Sequence, residues 1–184
     1  YIESLIAPDD FHLELFCWPQ IVSSSRPNNQ TCQHQQHMPT ETPEQWNERY
    51  AQGNTPWDNE QPDSELMRVI DQFGIAPGRM LELGCGTGTN ALWLAQQGFG
   101  VTAFDLSSLA IEKAQARAAA ANADMNLFVG DVFQLPALGD PFPFVFDRGV
   151  YHCVRRLDAA RFCSVVASLT APGGYYLTLA GNPN

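Results

Sequence analysis

A chain of 184 residues suits one domain, because a single core usually serves about 100–200 residues. Hydrophobic residues at 45% and charged residues at 16% are globular composition, not that of a disordered chain. A formal net charge of −10, with Lys113 as the sole lysine, would repel phosphate backbones and anionic lipid heads. Long nucleic acids and membranes are thereby disfavoured, and a small molecule is the expected partner. No apolar run approaches the roughly 18 residues of a membrane span. Five irregularly spaced cysteines (Cys17, Cys32, Cys85, Cys153, Cys163) argue against a disulfide framework and for a reducing compartment, read as the cytoplasm.

Residues 1–37 stand apart. "SSSRPNNQTCQHQQH" has no hydrophobic period and is read, with its flanks, as a disordered or non-native N-terminal extension. Met38 is then the expected start of the organised chain. Cys32, His34 and His37 lack a fourth ligand and a repeat of their spacing, so no metal site is expected. From "TPEQW" a helix should begin, with Thr42 as N-cap, Pro43 in the first turn, Gln45 closing a capping box and Gly53 as the stop. A second helix is capped by Asp63 and carries Leu66, Met67, Ile70 and Phe73 on one face, ending at Gly74. Residues 38–78 thus form an N-terminal helical segment ahead of the sheet.

After the Pro77-Gly78 turn, apolar strands alternate with helical patterns. "RMLELG", "GVTAFD", "MNLFVGD", "FPFVFD" and "GGYYLTLA" are strands, while "TNALWLAQQG", "SSLAIEKAQARAAAANA" and "DAARFCSVVASLT" are helices. Such alternation predicts βαβ units and a doubly wound, mostly parallel α/β sheet over residues 79–184.

"MLELGCGTGTN" sets Gly84, Gly86 and Gly88 where a strand runs into a helix. Glycines let a ligand approach the main chain, and the helix N-terminus offers N–H groups and partial positive charge to an anionic group. A tight structural turn is the bland alternative. "GTGTNA" also satisfies the dinucleotide form G-x-G-x-x-A, so glycines alone leave NAD open. Three acids narrow the choice: Glu82 lies inside the first strand, Asp105 ends the second and Asp131 follows the third. Each could equally be a helix cap.

"LELGCGTGTNALWLA", "VTAFDLS" and "VGDVF" together resemble the successive motifs of class I S-adenosylmethionine-dependent methyltransferases. The resemblance implies that Gly84, Gly86 and Gly88 cradle the methionine portion, that Asp105 binds the ribose hydroxyls and that Asp131 meets the adenine amino group. Leu106 and Val132 would flank the adenine. "QWNERYAQGNTPWDNEQPDSEL" is similar to the lid of the thiopurine, thiol and halide methyltransferase group, which places Trp46, Tyr50 and Trp57 over the cofactor. Aromatic faces suit a sulfonium cation, by roughly 0.5–2 kcal/mol; pinning the first helix to the core is the structural alternative.

"FDRGVYHCV" should border cofactor and acceptor, since ligands of open α/β sheets sit at the carboxyl ends of strands. Asp147 is assigned to the cofactor, and Arg148, Tyr151 and His152 are the candidate catalytic residues. His152 beside Cys153 lacks the orienting group of a nucleophilic pair. The same resemblance implies an antiparallel strand pair beyond the fifth strand. Its apparent absence predicts an apolar edge at "GGYYLTLA", a fragment of a longer product, and a non-catalytic cofactor-binding module as the alternative to an enzyme.

Overall fold

The computed structural model of the chain describes residues 2–6, 11–17 and 41–181 apart from residue 59. The Cys32, His34 and His37 reading and the proposed start at Met38 lie outside the described residues. Local sequence signals set the first two helices. In α1 (Pro43–Gln52), Thr42 Oγ1 accepts from the Gln45 N–H at 3.3 Å, and Gln45 Oε1 accepts from the Thr42 N–H at 2.7 Å. Two otherwise orphan donors are satisfied, and Gly53 stops the helix at φ 68. Asp63 caps α2 (Ser64–Phe73), and Gly74 ends it. Its buried face carries Leu66 and Val69, with Ile70 and Phe73 beside them, while Met67 is 40% exposed. The expected face is corrected at that residue: Leu66, Val69, Ile70 and Phe73 keep the i, i+3, i+4, i+7 spacing of one stripe, and Met67 falls off it.

Five parallel strands follow: β3 (Arg79–Leu83), β4 (Gly100–Asp105), β5 (Asn126–Val129), β6 (Phe142–Arg148) and β7 (Thr170–Gly181). Helices α3 (Thr89–Gln96), α4 (Ser108–Ala120) and α5 (Val150–Leu169) connect them on both faces. The spatial order β7-β6-β3-β4-β5 confirms a doubly wound sheet. Its reversal between β3 and β6 opens the crevice in which such sheets take ligands. Along β3, Met80 joins one apolar cluster while Leu81 and Leu83 join the other, as alternation through a sheet covered on both sides requires.

Helix α5 begins earlier than "DAARFCSVVASLT" suggested. Asp158 breaks it with φ −156 and ψ 73, and its Oδ1 caps the Arg161 N–H at 2.9 Å. The expected helix is therefore the second half, and "VYHCVRRL" forms the first.

The reading of residues 1–37 as a tail without structure is corrected for two stretches. β1 (Ile2–Ile6) and β2 (Phe11–Cys17) form an antiparallel pair, and β2 pairs antiparallel with β7 from Phe11↔Gly181 to Cys17↔Tyr175. The antiparallel pair expected after the fifth strand is thus present but drawn from the N-terminal side, and β7 is not an open edge. "FHLELFC" alternates apolar and polar residues at Phe11, His12, Leu13, Glu14 and Leu15, the period of a strand with one buried face. The neighbouring polar stretch masks that pattern in a composition-based reading.

Removing residues 1–17 should therefore bare the β7 edge, lowering the thermal midpoint and producing concentration-dependent association by light scattering. An unchanged midpoint and a monodisperse species would show that this strand pair does not cover the edge.

Candidate active site

The glycine turn is shaped by what lies against it. Gly84 has φ 63, and a Cβ there would come within 2.3 Å of Val150 Cγ2, so the first turn of α5 packs directly on the backbone. Gly86, at φ 54, faces the Tyr50 hydroxyl, which would stand 2.9 Å from an added Cβ. One glycine thus serves packing between helix and strand, and the next lets the lid reach the turn.

Asp105 fixes the turn from the neighbouring strand. Its Oδ2 accepts from the Gly86 N–H at 2.9 Å and its Oδ1 from the Ser107 N–H at 2.8 Å. Burial raises its pKa against those backbone donors, and 8% of the residue remains exposed. A carboxylate has about four lone-pair sites, and with Leu106 as a third backbone donor acceptor capacity still remains. Glu82 is buried to 1%, and desolvation pushes its pKa up to about 8 despite opposing contacts from Asn90 and Ala91. Its Oε2 is buried with no hydrogen-bond partner, an acceptor that a ligand donor would satisfy. Asp131 has a local role, accepting from the Phe133 N–H at 2.8 Å and from Gln134 Nε2 at 3.1 Å. Val132 is buried among core residues and Leu106 is half-buried at the end of β4.

The aromatics of α1 and the loop after it lie against this turn. Trp57 meets Trp46 edge-on at 5.7 Å and Tyr50 at 6.3 Å, so it joins the two helical aromatics. Tyr50 is 3% exposed, and burial raises the pKa of its hydroxyl. A cation already lies against two of these rings: the Arg49 guanidinium is 5.2 Å from the Trp46 centroid and 6.0 Å from that of Trp57. Polar links hold α1 down. Asn47 Oδ1 accepts from Ser107 Oγ at 2.6 Å and from the Leu109 N–H at 3.1 Å, and Lys113 Nζ donates to the Tyr50 carbonyl at 2.6 Å. Sequence reading missed Asn47; a lone asparagine on a polar helix face carries no local signal.

The segment after β6 departs from expectation. Asp147 is fully buried, accepts from the Tyr151 N–H at 3.1 Å and from the Tyr176 hydroxyl, and is raised in pKa by desolvation. It fastens the start of α5 to β7. Arg148 donates from Nε to Asp63 Oδ2 at 2.6 Å and from Nη1 to the Trp57 carbonyl at 2.8 Å. It therefore ties the lid to β6. The Tyr151 ring packs on Phe162 at 5.6 Å, and His152 is exposed on the first turn of α5. Among the described residues no cluster suits a metal ion.

A parallel doubly wound sheet with buried acids at Glu82 and Asp105, a glycine turn between them and an aromatic lid above defines a class I methyltransferase fold. Residues 41–183 match the thiopurine S-methyltransferase family model, and the chain belongs to that family. This membership settles the cofactor class as S-adenosylmethionine over a dinucleotide. The chain is 28% identical over 125 residues to a 2-heptyl-1-hydroxyquinolin-4(1H)-one methyltransferase of Mycobacteroides abscessus, covering 67% of this chain and 55% of that one. It is 29% identical over 140 residues to a probable thiol methyltransferase of Arabidopsis thaliana, covering 73% and 60%. The chain thus spans little more than half the length of these relatives. In fold it is similar to magnesium protoporphyrin IX methyltransferase of Synechocystis, solved with bound cofactor, at a TM-score of 0.57 and 21% identity over 73% of this chain and 74% of that one.

Two consequences are measurable. The folded Glu82 carboxyl keeps its proton up to about 8, against 4.5 for the ordinary group. The folded chain therefore binds the extra proton between those values, and the stability gained is present below about 4.5 and lost as pH rises through about 8. Glu82→Gln should flatten that slope in urea unfolding between pH 5 and pH 9; an unaltered slope would place its origin elsewhere. Gly84→Ala should destabilise by several kcal/mol, through overpacking against Val150 and the left-handed φ, and a wild-type melting temperature would show that α5 can yield.

Proposed function

We propose that the chain is an S-adenosylmethionine-dependent methyltransferase acting on a small soft nucleophile such as a thiol, a thiopurine or a halide. The observation that carries this reading is the pairing of two buried acids with one glycine turn. Asp105 holds the Gly86 N–H and keeps acceptor capacity, and Glu82 presents a buried oxygen without a partner. Those groups fit the two ends of the cofactor, hydroxyls at Asp105 and the amino group of the methionine portion at Glu82. The names of relatives that act on a thiol and on a hydroxyquinolone support a small acceptor. The cytoplasm is the proposed compartment, in keeping with Cys85, Cys153 and Cys163 as free thiols.

When bound, S-adenosylmethionine supplies a methyl group already activated on a sulfonium. The protein's residues then have positioning as their main task, which can account for about 7–11 kcal/mol of barrier reduction in favourable systems. Trp46, Tyr50 and Trp57 roof the seat and exclude water, while Asp105 fixes the adenosine end and the glycine turn the methionine end. A halide or thiolate arrives as the anion, so no general base is required of His152 or Tyr151.

Calorimetric titration of the 184-residue chain with S-adenosylhomocysteine and, separately, NAD tests the cofactor. Binding of the former alone, weakened at least tenfold by Asp105→Ala, is the expected result; a preference for NAD overturns it. Methyl transfer to iodide and small thiols should follow. A chain that binds the cofactor and methylates none of them would instead be a binding module.

A further inference from the structure

One lid residue has a place in the structure that the cofactor reading does not use. Asp58 follows Trp57, and its carboxylate reaches the glycine turn itself: Thr87 Oγ1 donates to Oδ2 at 2.7 Å and Thr89 Oγ1 to Oδ1 at 3.4 Å. The direction of the second bond is set by Arg117. A guanidinium can only donate, so when Arg117 Nη1 donates to Thr89 Oγ1, the threonine's own proton is left for Asp58. Thr87 is 7% exposed, so its bond lies largely out of water.

We propose that Asp58 is a positioning residue for the cofactor, a clasp that makes closure of the lid and the binding-competent shape of the glycine turn one and the same state. Two pieces of geometry carry this. Thr87 stands between Gly86 and Gly88, so a bond to its side chain holds the peptide whose neighbour, the Gly86 N–H, is bound by Asp105. Trp57 is anchored on its C-terminal side, by Arg148 at its carbonyl and by the Asp58 side chain at the next residue, while its ring meets Trp46 and Tyr50 edge-on. Among the described residues between Gly53 and Asp63 there is no helix or strand to hold the ring in place. Ligand binding and clasp formation therefore support each other, as linkage requires of two events that favour the same state.

The inference rests on the S-adenosylmethionine reading for its ligand, and two readouts separate them. S-adenosylhomocysteine affinity is measured by calorimetry for the wild type, Asp58→Ala, Thr87→Val and the double variant. Hydrogen exchange of the amides of residues 54–58 is measured in the same proteins without ligand. Asp58→Ala and Thr87→Val should each weaken binding about tenfold, equivalent to about 1.4 kcal/mol, and the double variant should be no weaker than the worse single one. Exchange over residues 54–58 should accelerate in all three while the thermal midpoint stays close to wild type. Retained affinity in Asp58→Ala, or additive losses in the double variant, overturns the clasp. Failure of the wild type to bind S-adenosylhomocysteine overturns the cofactor reading instead, and the exchange data then decide the clasp: wild-type rates in Asp58→Ala reject it.

Discussion

The arrangement depends on one carboxylate. Asp105 ends β4, yet its two oxygens bind the N–H of Gly86 in the turn after β3 and that of Ser107 at the start of α4. It therefore sets the shape of the turn and the starting point of the next helix together. Ser107 in turn caps α4 by accepting from the Ala110 N–H at 3.1 Å and donates to Asn47 on the lid. Strand, turn, helix and the first helix α1 are joined through Asp105 and Ser107, around a group that is itself 8% exposed. Hydrogen bonds to an ionised group contribute about 1.5–3 kcal/mol each, enough to offset much of the cost of burying the charge.

Burial of acids is the recurring cost of this site. Glu82, Asp105 and Asp147 are all raised in pKa by desolvation, and all lie on adjacent strands β3, β4 and β6 near their carboxyl ends. Their fates differ with the donors around them. Asp147 is satisfied by Tyr151 and Tyr176 and acts as structure, whereas Glu82 retains an oxygen without a partner. A buried polar atom left without a partner costs stability. Asp147 illustrates the opposite case: a polar residue in the right motif, at the right strand end, turned into the core.

The segment ahead of the sheet is attached by polar contacts as well as by the buried apolar face of α2. Asn47, Lys113, Asp58, Asp63 and Arg148 each make a cross-element bond, and the aromatic cluster fills the space among them. Such bonds net about 0.5–1.5 kcal/mol apiece in water. At the far edge the requirement is different. β7 carries the buried Leu177, Leu179 and Ala180 and needs a partner along its length; β2 supplies one in antiparallel register.

Local chemistry made much of this legible in advance. Thr42, Gln45 and Gly53 bound α1, Asp63 and Gly74 bound α2, and the alternation of apolar runs with helical patterns leads to the parallel sheet, because caps and periodicities act within a few residues of chain. The glycine turn and the acids at Glu82 and Asp105 belong to the same class of short-range pattern. What tertiary structure alone decided is which polar side chains meet across long separations. Asp58 finds Thr87, Asp63 finds Arg148 and Asn47 finds Ser107, at sequence distances of 29, 85 and 60 residues. Asp147 turns inward because Tyr176, on another strand, offers it a hydroxyl. The strands at residues 2–6 and 11–17 gain a place only once β7 exists to receive them, since an isolated hairpin is marginal in water. Periodicity announces an element; its partners are set by packing between parts of the chain that no local pattern connects.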